Sequence, residues 1–187
     1  MKFIYHRVPN NMDGAVLYPL NKLKEMKPAQ YEQQALKYKG RESLMQERLP
    51  IVDCLWNDVI HCTPIHPEKI ISALCVIGLR PPNLRYFKIP VSLLEGMDVI
   101  YKQYTQEDVL DEADCERFDA GKYNELDQIP VRALQYYRES VRQRKRPLMF
   151  HFIPHVLVKG EIEISDVEIV EVEVVVSVKS RIVKPSV

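Results

Sequence analysis

The feature that most restricts the fold of this chain is a long alternation near its C-terminal end. Residues 161–178 read EIEISDVEIVEVEVVVSV, in which Ile and Val alternate with acidic residues over much of the run. A repeat of two residues is typical of β-strands that bury one face and expose the other to water. Antiparallel sheets can leave one face in solvent, so the pattern predicts antiparallel sheet in this part of the chain.

Shorter patterns predict strands and helices elsewhere. β-branched and aromatic residues predict strands over 2–8, 85–91, 99–104, 148–153 and 156–159. Apolar residues three or four positions apart predict helices over 17–26, 31–40, 41–48, 67–78 and 130–146. The segment 105–128 is rich in Asp and Glu, and we expect it to be a mobile, solvated insertion.

The composition fits a single α+β domain over residues 1–187. Of these residues 46% are hydrophobic and 28% are charged, which is enough for one real core but cramped for two. We expect N-terminal helices to pack on two small, mainly antiparallel sheets, with a central cleft between the sheets.

The charge balance argues against a general electrostatic partner. Lys plus Arg and Asp plus Glu each number 26, so attraction to nucleic acid or to an anionic membrane would need a local patch. The N-terminus lacks a signal-peptide core, and no apolar run is long enough to span a membrane. We therefore expect a cytoplasmic protein without a membrane partner.

The stretch from Arg48 to Pro67 is the densest in reactive side chains. Its sequence, RLPIVDCLWNDVIHCTPIHP, holds the only Trp, two of the five His and two of the four Cys. Apolar residues between the polar ones would hold polar groups on an ordered element, as in a binding or catalytic site. The same arrangement is typical of a strand and turn whose polar groups bond neighbouring backbone, so both interpretations stay open.

Metal and thiol chemistry are poorly supported in this stretch. His61, His66, Cys54 and Cys62 are zinc-ligand types, but their spacing fits no standard zinc pattern, and we expect no metal. Neighbouring residues of a strand point to opposite faces, so His61 and Cys62 should not form a catalytic pair. The chain also lacks GxGxxG, P-loop and GxSxG motifs, which argues against the commonest dinucleotide-binding, NTPase and serine-hydrolase classes.

Three segments together carry a resemblance to a known family. They are IYHRVPNNMDG at 4–14, RLPIVDCLWNDVIHCTPIHPEKI at 48–70, and FHFIPHVLVKGEIEISDVEIVEV at 150–172. In pattern they resemble the DarT-like ADP-ribosyltransferases, which remove nicotinamide from NAD and transfer ADP-ribose to a base in nucleic acid. The resemblance implies an ADP-ribosyltransferase-like fold and NAD as the substrate.

The resemblance also implies roles for individual residues. Tyr5 and His6 of the opening strand would contact NAD, and Arg48, or failing that Arg41, would hold its phosphates. Arg is the side chain best shaped for two-pronged phosphate binding, although a solvated helix would also carry such arginines.

Three residues of the other two segments complete the predicted cleft. Trp56 could stack on nicotinamide or adenine, or could simply be a core residue. Asn57 would line the cleft beside it. His155 would occupy the position of the catalytic Glu of the family, and with Arg48 it forms the predicted catalytic pair.

The presence of His155 in place of the family Glu allows more than one interpretation of the reaction. A carboxylate can stabilise the cation formed as nicotinamide leaves, whereas a neutral His can act as a base but has no negative charge. Either the chemistry is altered, or Glu161 or Glu163 takes over, or the fold is kept without activity. A non-catalytic nucleotide-binding or partner-binding protein is therefore the alternative to an enzyme.

A basic segment suggests nucleic acid as the acceptor of ADP-ribose. Five basic residues lie at the end of the predicted helix 130–146 and precede the strand pair with His155: Arg138, Arg142, Arg144, Lys145 and Arg146. We expect Arg142, Arg144 and Arg146 to contact single-stranded nucleic acid, with a protein acceptor as the alternative. A basic helix end that suits the helix dipole, or pairs with the acidic residues 107–119, explains the same charges without a ligand. A toxin or defence role, with an antitoxin as partner, would fit the resemblance.

Overall fold

The computed structural model describes residues 1–104 and 114–173. Within them the α-helices are α1 (Leu20–Met26), α2 (Pro28–Ala35), α3 (Pro67–Val76) and α4 (Val131–Arg142). Short 3-10 turns cover Leu36–Tyr38, Glu42–Gln46, Trp56–Asp58 and Val91–Leu94. The strands of the N-terminal part are β1 (Phe3–Arg7), β2 (Val16–Leu17), β3 (Arg48–Leu49), β4 (Cys54–Leu55) and β5 (Val59–Cys62). They are followed by β6 (Leu84–Pro90), β7 (Asp98–Lys102), β8 (Cys115–Arg117), β9 (His155–Lys159), β10 (Ile162–Glu163) and β11 (Glu168–Val172).

Two small antiparallel sheets organise these strands. One has the order β1-β6-β11 and the other the order β5-β9-β7-β8, while β2 pairs with β10 and β3 with β4. Backbone hydrogen bonds of 2.9 Å in both directions between Tyr5 and Thr63 join β1 to the end of β5. The predicted mixture of helices with small antiparallel sheets is thereby confirmed.

The four-stranded sheet has an apolar face and a face of mixed character. On the first, Ile60, Val156 and Val158 pack against Ile4 and Ile89 of the other sheet. Burial of each such side chain contributes about 1.5–3 kcal/mol. The second face packs against α1 and the Trp56 turn, and carries His61, Leu157, His155, Ile100 and Lys102. The polar groups of interest therefore lie on one side of this sheet.

Helices α3 and α4 form a separate layer. Ile70 and Leu74 of α3 pack against Ala133 and Tyr137 of α4, and Ile71 packs against the three-stranded sheet. Pro67 occupies the first turn of α3, where its missing N–H has no helical partner to lose, and Gly78 follows the helix with φ 86°. Both signals are local, and the predicted helix is confirmed.

Two predicted elements differ from the structure. Residues 148–153 form turns rather than a strand, because Tyr137 donates a hydrogen bond to the Met149 carbonyl and Phe152 has φ 58°. The helix predicted over 41–48 is only a 3-10 turn at Glu42–Gln46 before β3 begins. In both places tertiary contacts override local preference.

The predicted mobile insertion at 105–128 does not hold for its described part, while residues 105–113 lie outside the described residues. Strand β8 pairs with β7, and Tyr123 is buried and donates a 2.6 Å hydrogen bond to the Phe3 carbonyl. Glu125 accepts hydrogen bonds from the Phe3 N–H and the Tyr5 hydroxyl. The acidic composition did not predict this order, because Glu125 and Tyr123 form hydrogen bonds with β1.

The C-terminal alternation is confirmed in part. Ile162, Ile164 and Val172 are buried between exposed glutamates, but Ile169 is 43% exposed, and residues 174–178 lie outside the described residues. No helix in the described part of the chain is both long and apolar enough to cross a membrane.

Candidate functional site

A small cleft with a cavity of about 40 Å³, partly open to solvent, lies between β1, β5 and the helical region 20–38. Its floor is apolar and includes Leu17, Leu20, Leu23 and Val59. The polar side chains around it are His6, Tyr18, Gln30, Gln34, Lys37, Tyr38 and His61. None of the described residues that line it is Asp or Glu.

His6 enters the cleft from β1. Its Nδ1 lies 2.9 Å from the His61 carbonyl oxygen, which can only accept, so Nδ1 carries the hydrogen and Nε2 is left as an acceptor. Burial, and to a smaller extent Lys37, lower the pKa of His6 to about 4 against the opposing effect of this hydrogen bond. His6 is therefore neutral at pH 7.

His61 enters the cleft from β5 and rests on Trp56. Its Nε2 donates to the Trp56 carbonyl over 2.8 Å, and the two ring centroids are 4.5 Å apart. Burial, followed by the nearby His155 and Lys37, holds the pKa of His61 well below its usual value. A neutral imidazole with Nδ1 left as an acceptor thus borders the cleft.

The turn beneath His61 is held by Asp58. Its carboxylate accepts hydrogen bonds of 2.7 Å from the Leu55 N–H and from the Asn21 side chain of α1. A carboxylate that accepts from backbone at the start of a helical turn stabilises that turn. This bond fixes Trp56, and so His61, relative to α1.

Positive charge gathers at the helical side of the cleft. Arg41 donates a 2.6 Å hydrogen bond to the Lys37 carbonyl. Much of the Lys37 side chain is exposed, yet burial of its ammonium group, then Arg41 and Arg7, lower the pKa of Lys37 to about 8. Among the described carboxylates none forms an ion pair with Arg7, Lys37 or Arg41. The arrangement suits an anionic ligand.

His155 lies one layer deeper than the cleft lining. It begins β9, is 8% exposed, and its ring centroid is 6.0 Å from that of His61 and 6.3 Å from that of Trp56. Its Nδ1 is 3.3 Å from the Tyr104 hydroxyl. Burial lowers the pKa of His155 to about 4, so it is a neutral base at pH 7.

Several predicted site residues lie elsewhere. Tyr5 points away from His6, is buried, and donates to Glu125 over 2.9 Å. Arg48 is exposed and pairs with Asp53 at 2.5 Å. Asn57 is completely buried outside the lining, and Trp56 supports His61 from below. Of the predicted set, only His6 lines the cleft, with Arg41 beside it.

The residues that sequence reasoning missed share a detectable pattern. Gln30, Gln34 and Lys37, followed by the predicted Arg41, recur every three or four positions, the spacing that places side chains on one helical face. Nothing in the local sequence indicated that this polar stripe would face His6. From the sequence, His61 was considered as a zinc ligand or as a partner of Cys62, not as a cleft residue.

The two alternative carboxylates do not enter the cleft. Glu161 pairs with Lys22, and Glu163 is exposed and accepts a 3.1 Å hydrogen bond from the Ser165 N–H. The structure therefore gives no support to a carboxylate from this strand pair in place of the family Glu.

The basic segment ends beside a group of aromatic rings. Helix α4 stops at Arg142, which lies 3.6 Å from Glu139, and Arg144 and Arg146 are exposed beyond it. Ring centroids of Tyr136 and His151 are 4.2 Å apart, and those of His151 and Phe152 are 4.0 Å apart. We call Tyr136, His151 and Phe152 the aromatic cluster.

Tyr104 connects this cluster to His155. Its ring centroid lies 6.1 Å from that of Phe152 and 5.7 Å from that of His155. The two surfaces of interest, the cleft and the aromatic cluster, thus approach His155 from different sides.

The described residues give little support to a metal site or to a Cys–His catalytic pair. Within 1–104 and 114–173, no three His, Cys, Asp or Glu side chains gather as metal ligands. Cys62 lies on the apolar face of its sheet and His61 on the other, which confirms that they do not pair.

Neither a family model, nor a curated protein, nor a solved structure matches this chain. Function must therefore be argued from the cleft itself.

Proposed function

We propose that the cleft binds NAD, with its diphosphate beside Lys37 and Arg41. The observation that carries this proposal is the gathering of cations and neutral imidazoles at a cleft whose described lining has no carboxylate. Charge-assisted hydrogen bonds to phosphate contribute about 1.5–3 kcal/mol each.

We further propose ADP-ribosyl transfer as the reaction, on the basis of the resemblance to DarT-like enzymes. His61 and His6 are the imidazole bases that border the cleft, and both are neutral at pH 7, but their lowered pKa values make them weaker bases than an ordinary imidazole. A single base of this kind contributes typically 10²–10⁴-fold to a rate, so we expect slow turnover in the absence of a cleft carboxylate.

A non-catalytic nucleotide-binding protein is the second candidate. It is favoured by one observation, the lack of Asp or Glu among the described lining residues. Incubation with NAD labelled in the nicotinamide separates the two candidates. Release of labelled nicotinamide supports the enzyme, whereas tight binding without release supports the binding protein.

For the acceptor we propose single-stranded nucleic acid. The aromatic cluster offers ring faces for stacking, and the exposed Arg144 and Arg146 offer charges for phosphates. Stacking on such rings contributes about 1–3 kcal/mol per base. A toxin or defence role with an antitoxin as partner is part of the same proposal, and a protein acceptor is its competitor.

The acceptor proposal is tested by a salt series. Affinity for short single strands should fall steeply with salt, and the triple variant Arg142→Gln, Arg144→Gln, Arg146→Gln should show a flatter dependence. Weak binding that ignores salt in both proteins would exclude nucleic acid as the acceptor.

Calorimetry with NAD tests the cleft. Lys37→Met and Arg41→Gln should each weaken binding roughly tenfold, as expected for one lost charge-assisted bond. Arg48→Gln is the matched control, because Arg48 is exposed and bonded to Asp53. An equal loss in all three variants, or no binding by the wild type, would contradict the proposed site.

A further inference from the structure

Lys102 is a buried cation whose charge has no hydrogen-bonded partner in the described part of the chain. It ends β7, is only 2% exposed, and its Nζ finds no hydrogen-bond acceptor among the described residues. Taking an ammonium group out of water is costly unless an opposite charge or several acceptors replace the water. Such a residue in a folded protein points to a group that completes its surroundings.

The neighbours of Lys102 supply donors and neutral groups. Its Nζ lies 4.7 Å from the centre of the Tyr104 ring, a cation–π contact that offers no hydrogen-bond acceptor. Cross-strand pairing places His155 and Cys115 beside Lys102 on the same face of the sheet. His155 is kept neutral by burial, which lowers its pKa to about 4.

Two carboxylates bear on the charge of Lys102. Asp114 is buried directly before Cys115, the cross-strand partner of Lys102, and Glu47 is within electrostatic reach. Burial raises the pKa of Glu47, and the charge of Lys102 opposes that rise. The two groups are not an ion pair, since no carboxylate in the described chain lies within 4.0 Å of Lys102. Glu47 thus moderates the positive potential without giving the ammonium an acceptor.

We propose that Lys102, with Tyr104 and His155, forms an internal binding site for a small oxyanion, a carboxylate or a phosphate. The ammonium group has three N–H donors, which match the oxygens of such an anion better than they match a spherical ion. The site is separate from the cleft, because none of Lys102, Tyr104 and His155 is among the described residues that line the cleft. It does not depend on NAD binding.

The only Trp of the chain provides a local readout of this site. Trp56 lies 6.3 Å from His155 between ring centroids, so its fluorescence should respond to an anion bound beside His155. The experiment titrates phosphate, acetate and chloride at constant ionic strength while recording Trp56 fluorescence and melting temperature. The proteins are wild type, Lys102→Met and, as a charge-matched control, Lys122→Met, in which the exposed side chain is changed.

The wild type and Lys122→Met should show a saturable response to at least one oxyanion and none to chloride. At tenfold excess over Kd the melting temperature should rise by roughly 3 to 6 °C for a chain of this size. Lys102→Met should lack the response and, without added anion, should melt above the wild type. A response to phosphate alone or acetate alone identifies which oxyanion the site accepts.

Equal responses of wild type and Lys102→Met, or no saturable response in either, would overturn the site. If Lys102→Met does not fold, Lys37→Met decides, because it removes the charge of the cleft and leaves Lys102 in place. A saturable response to an oxyanion but not to chloride that persists in Lys37→Met then supports the site. Loss of that response in Lys37→Met, or a linear or absent response in the wild type, refutes it.

Discussion

Burial of His155 should make the protein sensitive to mild acid, and His155→Gln should remove part of that sensitivity. The side chain is 8% exposed, and burial lowers the pKa of His155 from an ordinary 6.5 to about 4. Gln keeps a polar side chain of similar reach but cannot take up a proton.

Because the pKa of His155 is lowered in the folded state, stability falls as the pH falls. Above pH 6.5 neither the folded nor the unfolded state is protonated at His155, so the group adds no pH dependence. Between pH 6.5 and 4 the unfolded state binds the proton first, and folding becomes less favourable as the pH falls. The slope is about 1.4 kcal/mol per pH unit, or about 2.7 kcal/mol between pH 6.5 and 4.5. His6, whose pKa is also about 4, adds a loss of similar size.

Together the two histidines would remove about 5 kcal/mol by pH 4.5, a large share of the 5–15 kcal/mol typical of a folded domain. Urea denaturation at constant ionic strength from pH 7.0 to 4.5 measures the free energy of unfolding. The slope for His155→Gln should be smaller than the wild-type slope by about 1.4 kcal/mol per pH unit. Ile60→Val, which should lower stability by about 0.5–1.5 kcal/mol, controls for destabilisation without titration. Identical slopes in wild type and His155→Gln would refute the reasoning.

Three further predictions rest on the core and the thiols. Leu157→Ala should lower the free energy of unfolding by about 2–5 kcal/mol, because Leu157 is fully buried between the sheet and α1. A loss of less than 1 kcal/mol, measured by urea denaturation, would contradict this packing. Burial raises the pKa of the Cys62 thiol, so iodoacetamide at pH 8 should modify Cys62 only after denaturation. Rapid labelling of Cys62 in the native protein, detected by mass spectrometry, would contradict its burial. Protein purified without a metal-affinity tag should contain no stoichiometric zinc by elemental analysis, and zinc whose removal unfolds the chain would overturn the expectation from the His and Cys spacing.

Local sequence rules worked where their cause was local. Pro67 and Gly78 mark the ends of the α3 region through backbone restrictions that act at single residues. Strands β6 and β7 follow their β-branched and aromatic residues in the same way. The apolar run at 148–153 misled because its side chains pack beneath α4, where aromatic and apolar content is needed whatever the backbone conformation.

Local sequence patterns were sufficient to predict α3, strands β6 and β7, the antiparallel character of the sheets and the position of His6 on an opening strand. Which polar groups share the cleft depends on long-range packing. Arg48 pairs with Asp53, five positions away. His6 lies beside Lys37 and His61 because strands pair and helices pack in ways that no local pattern encodes. Strand pairing also set the sheet face, so that His61, His155 and Lys102 lie on one side and Cys62 on the other. Such contacts depend on chain closure over long separations, and that is why spacing alone did not predict them.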